Sequence, residues 1–124
     1  MSSVLTAYLF LASLVPSTTY GYGELMCGDP GKAVSCGKGA WTASGMAFDP
    51  GIPQVALAVP SPLRIDAQRV WLRVPGGACK RVWLADKMAA RWVGVRGFDL
   101  NPAALRLLTG REGPNWSGQV EVCP

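Results

Sequence analysis

Two stretches in the middle of the chain alternate between apolar and polar side chains. In Arg69-Val70-Trp71-Leu72-Arg73-Val74, the residues Val70, Leu72 and Val74 fall on one side of an extended chain and Arg69, Trp71 and Arg73 on the other. Arg81-Val82-Trp83-Leu84-Ala85 repeats the pattern, and Pro75-Gly76-Gly77-Ala78 between them supplies turn residues, so the segment is expected to be a β-hairpin. Keeping Val70, Leu72, Val82 and Leu84 on one face demands an odd loop length. With Gly76, Gly77 and Ala78 as the loop, Trp71 is expected opposite Trp83. Gln119-Val120-Glu121-Val122-Cys123 alternates again as a closing strand, and Pro53 to Val59 and Leu63 to Ile65 predict shorter ones. Asn101-Pro102-Ala103-Ala104-Leu105-Arg106-Leu107-Leu108-Thr109-Gly110 carries the punctuation of a short helix: an Asn cap, Pro in the first turn and Gly at the end. The pattern as a whole predicts a mainly β fold.

The amino-terminal region follows a different rule. Val4 to Val15 is an uninterrupted run of twelve mostly apolar residues, and no charged side chain precedes Glu24. Twelve residues match the core of a signal peptide and fall short of a bilayer crossing, so no stable transmembrane span is expected. Gly21 and Gly23 supply small residues where a signal peptidase would cut, although the stretch before the run lacks a basic residue. The alternative is a hydrophobic arm that docks residues 4–15 onto a protein partner. The chain thus divides into an apolar segment 1–23, a Gly/Pro-rich lead-in 24–40 and a domain 41–124 without repeats.

Composition narrows the chemistry. A chain of 124 residues with 49% hydrophobic content can bury one core, and Gly 15 with Pro 10 implies many tight turns. Histidine is absent, which excludes Ser-His-Asp and Cys-His catalysis, histidine zinc sites and a base that titrates near neutrality unaided. Chemistry falls to carboxylates, and neither a cofactor nor a metal is expected. The formal net charge is +4, and the basic residues concentrate between Arg64 and Arg111, where ten of them face only Asp66, Asp86 and Asp99. That half favours an anionic partner, with arginines beside Trp71, Trp83 and Trp92 as stacking surfaces.

Four cysteines, Cys27, Cys36, Cys79 and Cys123, follow the apolar segment. An even count in a small chain behind an export-type segment reads as two disulfides and a secreted or periplasmic location. Three pairings are open. The preferred one closes the GDPGKAVS loop through Cys27–Cys36 and ties the hairpin to the terminal strand through Cys79–Cys123. No CxxC pair is present, which speaks against a four-thiolate zinc site. The same cysteines rank nucleic acid last among anionic partners.

Three segments carry a family resemblance in their order and spacing. They are Trp41-Thr42-Ala43-Ser44-Gly45-Met46-Ala47-Phe48-Asp49, Val82-Trp83-Leu84-Ala85-Asp86, and Gly94-Val95-Arg96-Gly97-Phe98-Asp99-Leu100-Asn101-Pro102-Ala103-Ala104. From Trp41 to Val122 the chain resembles the double-psi β-barrel of the expansin, barwin and rare lipoprotein A group. The resemblance implies a six-stranded barrel with one or two short helices and an open groove, in which Asp86 and Asp99 face a bound glycan. Members of the group cleave peptidoglycan as lytic transglycosylases, loosen walls without hydrolysis, or cut cellulose with two acids. Here Val55-Ala56-Leu57-Ala58-Val59 stands where rare lipoprotein A proteins carry an Ala-His pair, Asp86 is followed by Lys87-Met88-Ala89 in place of the DRGP motif, and Met26 before Cys27 breaks a lipobox. These departures favour an expansin-like, non-hydrolytic reading over a lytic transglycosylase.

The candidate catalytic residues are therefore Asp86 and Asp99, each where a strand meets a loop. In a glycosidase one carboxyl stays protonated to donate to the leaving oxygen and the other orients substrate or stabilises positive charge. The structural alternative has Asp99 capping backbone N–H groups ahead of the helix and Asp86 paired with Lys87 or Arg96. Thr42, Asp49, Trp71, Trp83 and Arg96 are the candidate substrate contacts, with Asp49 in Asp-Pro-Gly also expected to form a turn. The partner implied is peptidoglycan or another wall polysaccharide; the competing function is a structural module of an envelope-contacting particle such as a phage tail, and hence virion-associated.

Overall fold

A computed structural model describes residues 3–22 and 41–124. The elements run α1 (Ser3–Ala12), β1 (Thr18–Thr19), β2 (Gln54–Ala58), β3 (Gln68–Arg73), β4 (Lys80–Met88), a short 3-10 turn (Ala90–Trp92), β5 (Phe98–Leu100), α2 (Pro102–Thr109) and β6 (Glu121–Val122). The strands form one six-stranded mixed sheet in the order β1-β5-β2-β4-β3-β6, with two short helices against it. β2 pairs parallel with β4 and antiparallel with β5, β1 runs parallel to β5, and β3 pairs antiparallel with β4 and β6. Ser17 and Gly118, next to the strands at the two ends of the order, form an isolated antiparallel bridge.

The alternation sorts side chains onto two faces. Val55, Leu57 and Val59 from the β2 region, Val70 and Leu72 from β3, Val82 and Leu84 from β4, and Phe98 and Leu100 from β5 make the main core. Leu5, Leu9 and Ala12 of α1 and Ala104, Leu105 and Leu108 of α2 pack into the same core. α1 and β1, both within the apolar segment 1–23, thus belong to this core and this sheet. On the other face Tyr20, Phe48 and Ala56 form a smaller cluster with Met88 packed against it.

The helix at 102–109 matches its sequence punctuation. Asn101 Oδ1 accepts from the Ala104 N–H at 2.9 Å, Pro102 opens the first turn, and Gly110 closes the helix at φ 72°, a left-handed conformation that favours glycine. Gly97 is required for a different reason: a Cβ there would lie 2.6 Å from the Ala12 carbonyl oxygen, so the chain entering β5 passes α1 too closely for any side chain.

Two local expectations are corrected. Leu63 to Ile65 is not a strand but an irregular stretch with Ile65 buried. In the hairpin, Val70 pairs with Val82 and Leu72 with Lys80, so Trp71 stands opposite Arg81, and Arg69 opposite Trp83. The parity is as expected but the register is offset by two. The cause is the turn: the Gly77 N–H donates to the Val74 carbonyl at 2.9 Å, and Gly76 has φ 81°, so Pro75-Gly76 forms the apex in the manner of a type II turn. Residues 78 and 79 then lead Cys79 to Cys123, and the Cys79–Cys123 disulfide spans Cα atoms 6.2 Å apart. The Cys27–Cys36 pairing lies outside the described residues.

Candidate functional site

The two aspartates meet on β2. In the sheet register Ala56 is the partner of Asp86 on β4 and also of Asp99 on β5. Neighbouring strands lie about 4.8 Å apart, so the two acids flank Ala56 with backbones about 10 Å from each other. Both are on the face of Ala56, away from Val55 and Leu57 of the main core. Asp99 arrives there by simple alternation, between the core residues Phe98 and Leu100. Asp86 does not: Val82 and Leu84 face the core, so strict alternation would send residue 86 inward too. A register shift intervenes, because Val55 pairs with Leu84 but Ala56 with Asp86. Ala85 is the extra residue of a β-bulge that turns Asp86 onto the outer face, the re-aiming such bulges perform next to binding sites.

The loop bearing Thr42-Ala43-Ser44-Gly45 is docked on this point. The Ala43 N–H donates to Asp86 Oδ1 at 2.9 Å, the Lys87 N–H donates to the same oxygen at 2.8 Å, and the Ser44 N–H donates to the Ala85 carbonyl at 3.2 Å. Both bonds to Asp86 land on Oδ1. Asp99 Oδ1 accepts from the Thr18 hydroxyl, its register partner on β1. Asp86 is 6% and Asp99 9% exposed, so both residues are almost entirely covered. Burial pushes the Asp86 carboxyl above the ordinary value; the two backbone N–H bonds oppose the shift, and the charge of Asp99 adds to it.

The other predicted contacts occupy different places. Thr42 is buried, and its hydroxyl donates to the Met46 carbonyl at 2.6 Å and lies 3.0 Å from the Ser44 hydroxyl, so it shapes the loop that holds Asp86. Asp49 Oδ1 accepts from the Gly51 N–H at 2.8 Å, the turn expected of Asp-Pro-Gly. Trp71 and Trp83 lie on the outer face of β3 and β4, each with a guanidinium over its ring. Arg96 lies over Trp92 at 4.2 Å, and Lys87 Nζ donates to the Leu63 carbonyl at 3.1 Å, so neither cationic side chain is the partner of Asp86, which Lys87 reaches only through its backbone N–H. The cap ahead of α2 is Asn101 rather than Asp99.

Sequence reasoning missed three residues here. Thr18 sits in a run without charge or periodicity and offers no signal. Gln54 is fully buried, its amide donating to the Ala47 carbonyl at 3.0 Å and its Oε1 accepting from the Asp49 N–H at 3.0 Å. Asn101 was legible as a cap, but its side chain also accepts from the Gln54 N–H at 3.0 Å and donates to the Asp49 and Ile52 carbonyls at 3.0 and 2.8 Å. It clips the 49–54 turn to the start of α2. Among the described residues no group of three or more Cys, Asp or Glu side chains could hold a metal, and no helix is long and apolar enough to cross a membrane. A separate open depression lined by Arg111, Glu112, Gly113, Pro114, Asn115 and Trp116 contains neither aspartate. Compared with models of known families, with curated proteins and with solved structures, the chain matches none.

Proposed function

We propose that the chain binds a cell-wall glycan, peptidoglycan or a related polysaccharide, across the face that carries Asp86 and Asp99, in the non-hydrolytic manner of the expansin-like proteins its motifs resemble. The observation that carries this reading is the shared register of the two acids on Ala56. The two acids lie within β4 and β5 rather than where a strand meets a loop; a carboxylate accepts hydrogen bonds from sugar hydroxyls, and the resemblance assigns both positions to a glycan. A double-psi β-barrel is the scaffold proposed. The mixture of parallel and antiparallel pairs in one six-stranded sheet and the Ser17–Gly118 bridge between its two ends support it. Secretion or a periplasmic location is supported by the Cys79–Cys123 disulfide, a bond that persists in oxidising compartments.

Binding is favoured over cleavage because both acids are buried and Asp86 is already held by two backbone donors. Weak lytic transglycosylase activity would use Asp86 as the acid, since burial and Asp99 hold it toward the protonated form. The test is retention of the full chain on purified peptidoglycan and on a second wall polysaccharide. Retention that falls roughly tenfold in Asp99→Ala, the loss of a charged hydrogen-bond partner, supports the reading, and no retention on any wall polymer removes it. Release of soluble muropeptides, lost in Asp86→Asn, is the further observation that would make the chain an enzyme.

A second reading, a structural module of an envelope-contacting particle such as a phage tail, is favoured by α1. It leaves Val4, Phe10 and Leu11 exposed without a charged neighbour in the helix, a surface suited to a partner chain. Co-sedimentation of the protein with intact particles would support it, and recovery of the protein only as a free, wall-bound species would set it aside.

A further inference from the structure

We infer that the glycan taken by this face is anionic, and that the Arg69–Trp83 and Arg81–Trp71 pairs recognise its negative groups; this rests on the glycan-binding reading above. Each tryptophan of the β3–β4 hairpin has an arginine as its direct cross-strand partner. The Arg69 guanidinium lies 4.9 Å over the Trp83 ring and that of Arg81 lies 5.9 Å over the Trp71 ring. A guanidinium stacked on an indole uses its flat face and keeps its N–H edge pointing outward. That edge matches a carboxylate or phosphate with two parallel hydrogen bonds. Arg69 and Arg81 are exposed, and among the described residues neither is in an ion pair, whereas Arg73 in the same row of β3 is bonded to Glu121 at 2.7 Å. Two cations are thus pre-oriented and unneutralised, beside a half-exposed Trp71.

The bulge at Ala85 makes this surface continuous with the acids. Because Asp86 is turned onto the face of Ala56, the same row of β4 reads Arg81, Trp83, Asp86, and the five steps from Arg81 to Asp86 span about 16 Å. One end offers guanidinium edges and indole faces; the other holds the two nearly buried carboxyl groups, with the Thr18 hydroxyl donating to Asp99. A polymer that fits both ends needs hydroxyl donors for the carboxylates, flat apolar faces for the indole, and anionic groups for the arginines. A glycan bearing carboxylates or phosphates has all three. Single-stranded nucleic acid satisfies the arginines and tryptophans, but its backbone brings a phosphate at every nucleotide, and those reaching Asp86 and Asp99 would be repelled.

The experiment compares retention of the full-length, oxidised chain on native peptidoglycan and on the same polymer with its carboxyl groups converted to neutral amides. Retention is expected to fall roughly tenfold on the amidated polymer, the loss of a charge-assisted contact. The double variant Arg69→Gln/Arg81→Gln should reproduce that loss on native polymer and change nothing on the amidated one. Arg64→Gln/Arg111→Gln, at two exposed sites outside the hairpin, removes the same two charges and should bind as the parent does. Arg69→Lys/Arg81→Lys keeps the charge without the planar fork, and retention below that of Arg64→Gln/Arg111→Gln supports the stacked geometry. Equal retention on both polymers, or no effect of the Arg69 and Arg81 substitutions, overturns the inference while the glycan reading stands. Tighter binding of single-stranded DNA than of native polymer overturns it as well, and retention on neither polymer removes the glycan reading along with it.

Discussion

Asp86 and Asp99 stand opposite one residue, Ala56, although β4 runs parallel to β2 and β5 antiparallel to it. The coincidence depends on the single extra residue Ala85. It is buried completely and carries a side chain small enough to sit within the sheet at the bulge. The sheet therefore spends one position on orientation, and the TASG loop secures it by donating Ala43 N–H to Asp86 and Ser44 N–H to the Ala85 carbonyl.

Removing Ala85 restores strict alternation and sends residue 86 to the side of Val82 and Leu84. An unpaired carboxylate among Leu72, Leu84 and Leu100 costs several kcal/mol. Deletion of Ala85 is expected to lower stability by more than about 3 kcal/mol in denaturant unfolding, and adding Asp86→Leu to the deletion should recover much of the loss. Equal instability of the two deletion forms would show that the bulge does not set the direction of residue 86.

Asp86 also gives the fold a pH signature. Its carboxyl is raised above the ordinary aspartate value of 3.8, mainly by burial, so the native state holds this proton more tightly than the unfolded chain does. The resulting stability is fully present below the unfolded value and is lost as pH rises through the native one. Asp86→Asn keeps an Oδ1 acceptor for Ala43 and Lys87 and cannot ionise. The variant is expected to be more stable than the parent at neutral pH, with the advantage disappearing at acid pH, below the unfolded value. Thermal unfolding of both proteins from about pH 3 to about pH 8 checks this, and an advantage that shrinks as pH rises contradicts it.

What the sequence disclosed followed from local rules. The helix at 102–109 was legible because Asn101, Pro102 and Gly110 are each favoured by one terminus geometry, and the β3–β4 hairpin because Val70, Leu72, Val82 and Leu84 share a period of two. The Cys79–Cys123 bond was preferred on the same hairpin. Register was harder, since parity leaves every shift by two open, and the choice was made by the Pro75-Gly76 turn and by the route to Cys123. The bulge at Ala85 had no sequence signature: alanine at a strand end reads as part of the alternation. β1 and β5, at two and three residues, are too short for a periodic signal, so Thr18 could not be connected with Asp99 before the strands were paired. In α1 every face is apolar, and the sequence could not say which residues turn inward.

Asn101 tests how the 49–54 turn is held beneath the acids. Its Oδ1 accepts from two N–H groups and its Nδ2 donates to the carbonyls of Asp49 and Ile52. Asn101→Ala loses the helix cap, about 1 kcal/mol, and leaves buried backbone groups without partners, for a total of about 3 kcal/mol or more. Asn101→Asp keeps both acceptor bonds, yet its second oxygen faces two carbonyl oxygens. It is therefore expected to be at least as destabilised as the alanine variant at neutral pH and to recover on acidification, when a protonated carboxyl can donate again. Chemical denaturation at two pH values reads both effects, and an Asp variant that matches the parent at neutral pH would refute the assignment of Nδ2 as the essential donor.

α1 supplies the last case, because its burial is one-sided despite its uniform composition. Leu5, Leu9 and Ala12 recur at a helical spacing that lines up one face, and they are 5%, 1% and 3% exposed, while Leu14 just beyond the helix is 60% exposed. If residues 3–22 form part of the folded body, truncating Leu9 must act like truncating a leucine of the sheet. Leu9→Ala is expected to cost about 2–5 kcal/mol in the chain that retains this segment, in the range of Leu84→Ala. Leu14→Ala should stay within about 0.5 kcal/mol of the parent. The link to the site is direct, because β1 follows α1 and carries Thr18 to Asp99, with Ser13 Oγ accepting from the Val122 N–H at 3.0 Å to hold the helix end against β6. Leu9→Ala should therefore also weaken glycan retention under conditions that partly release α1, whereas a variant of unchanged stability would show that the sheet folds without the helix.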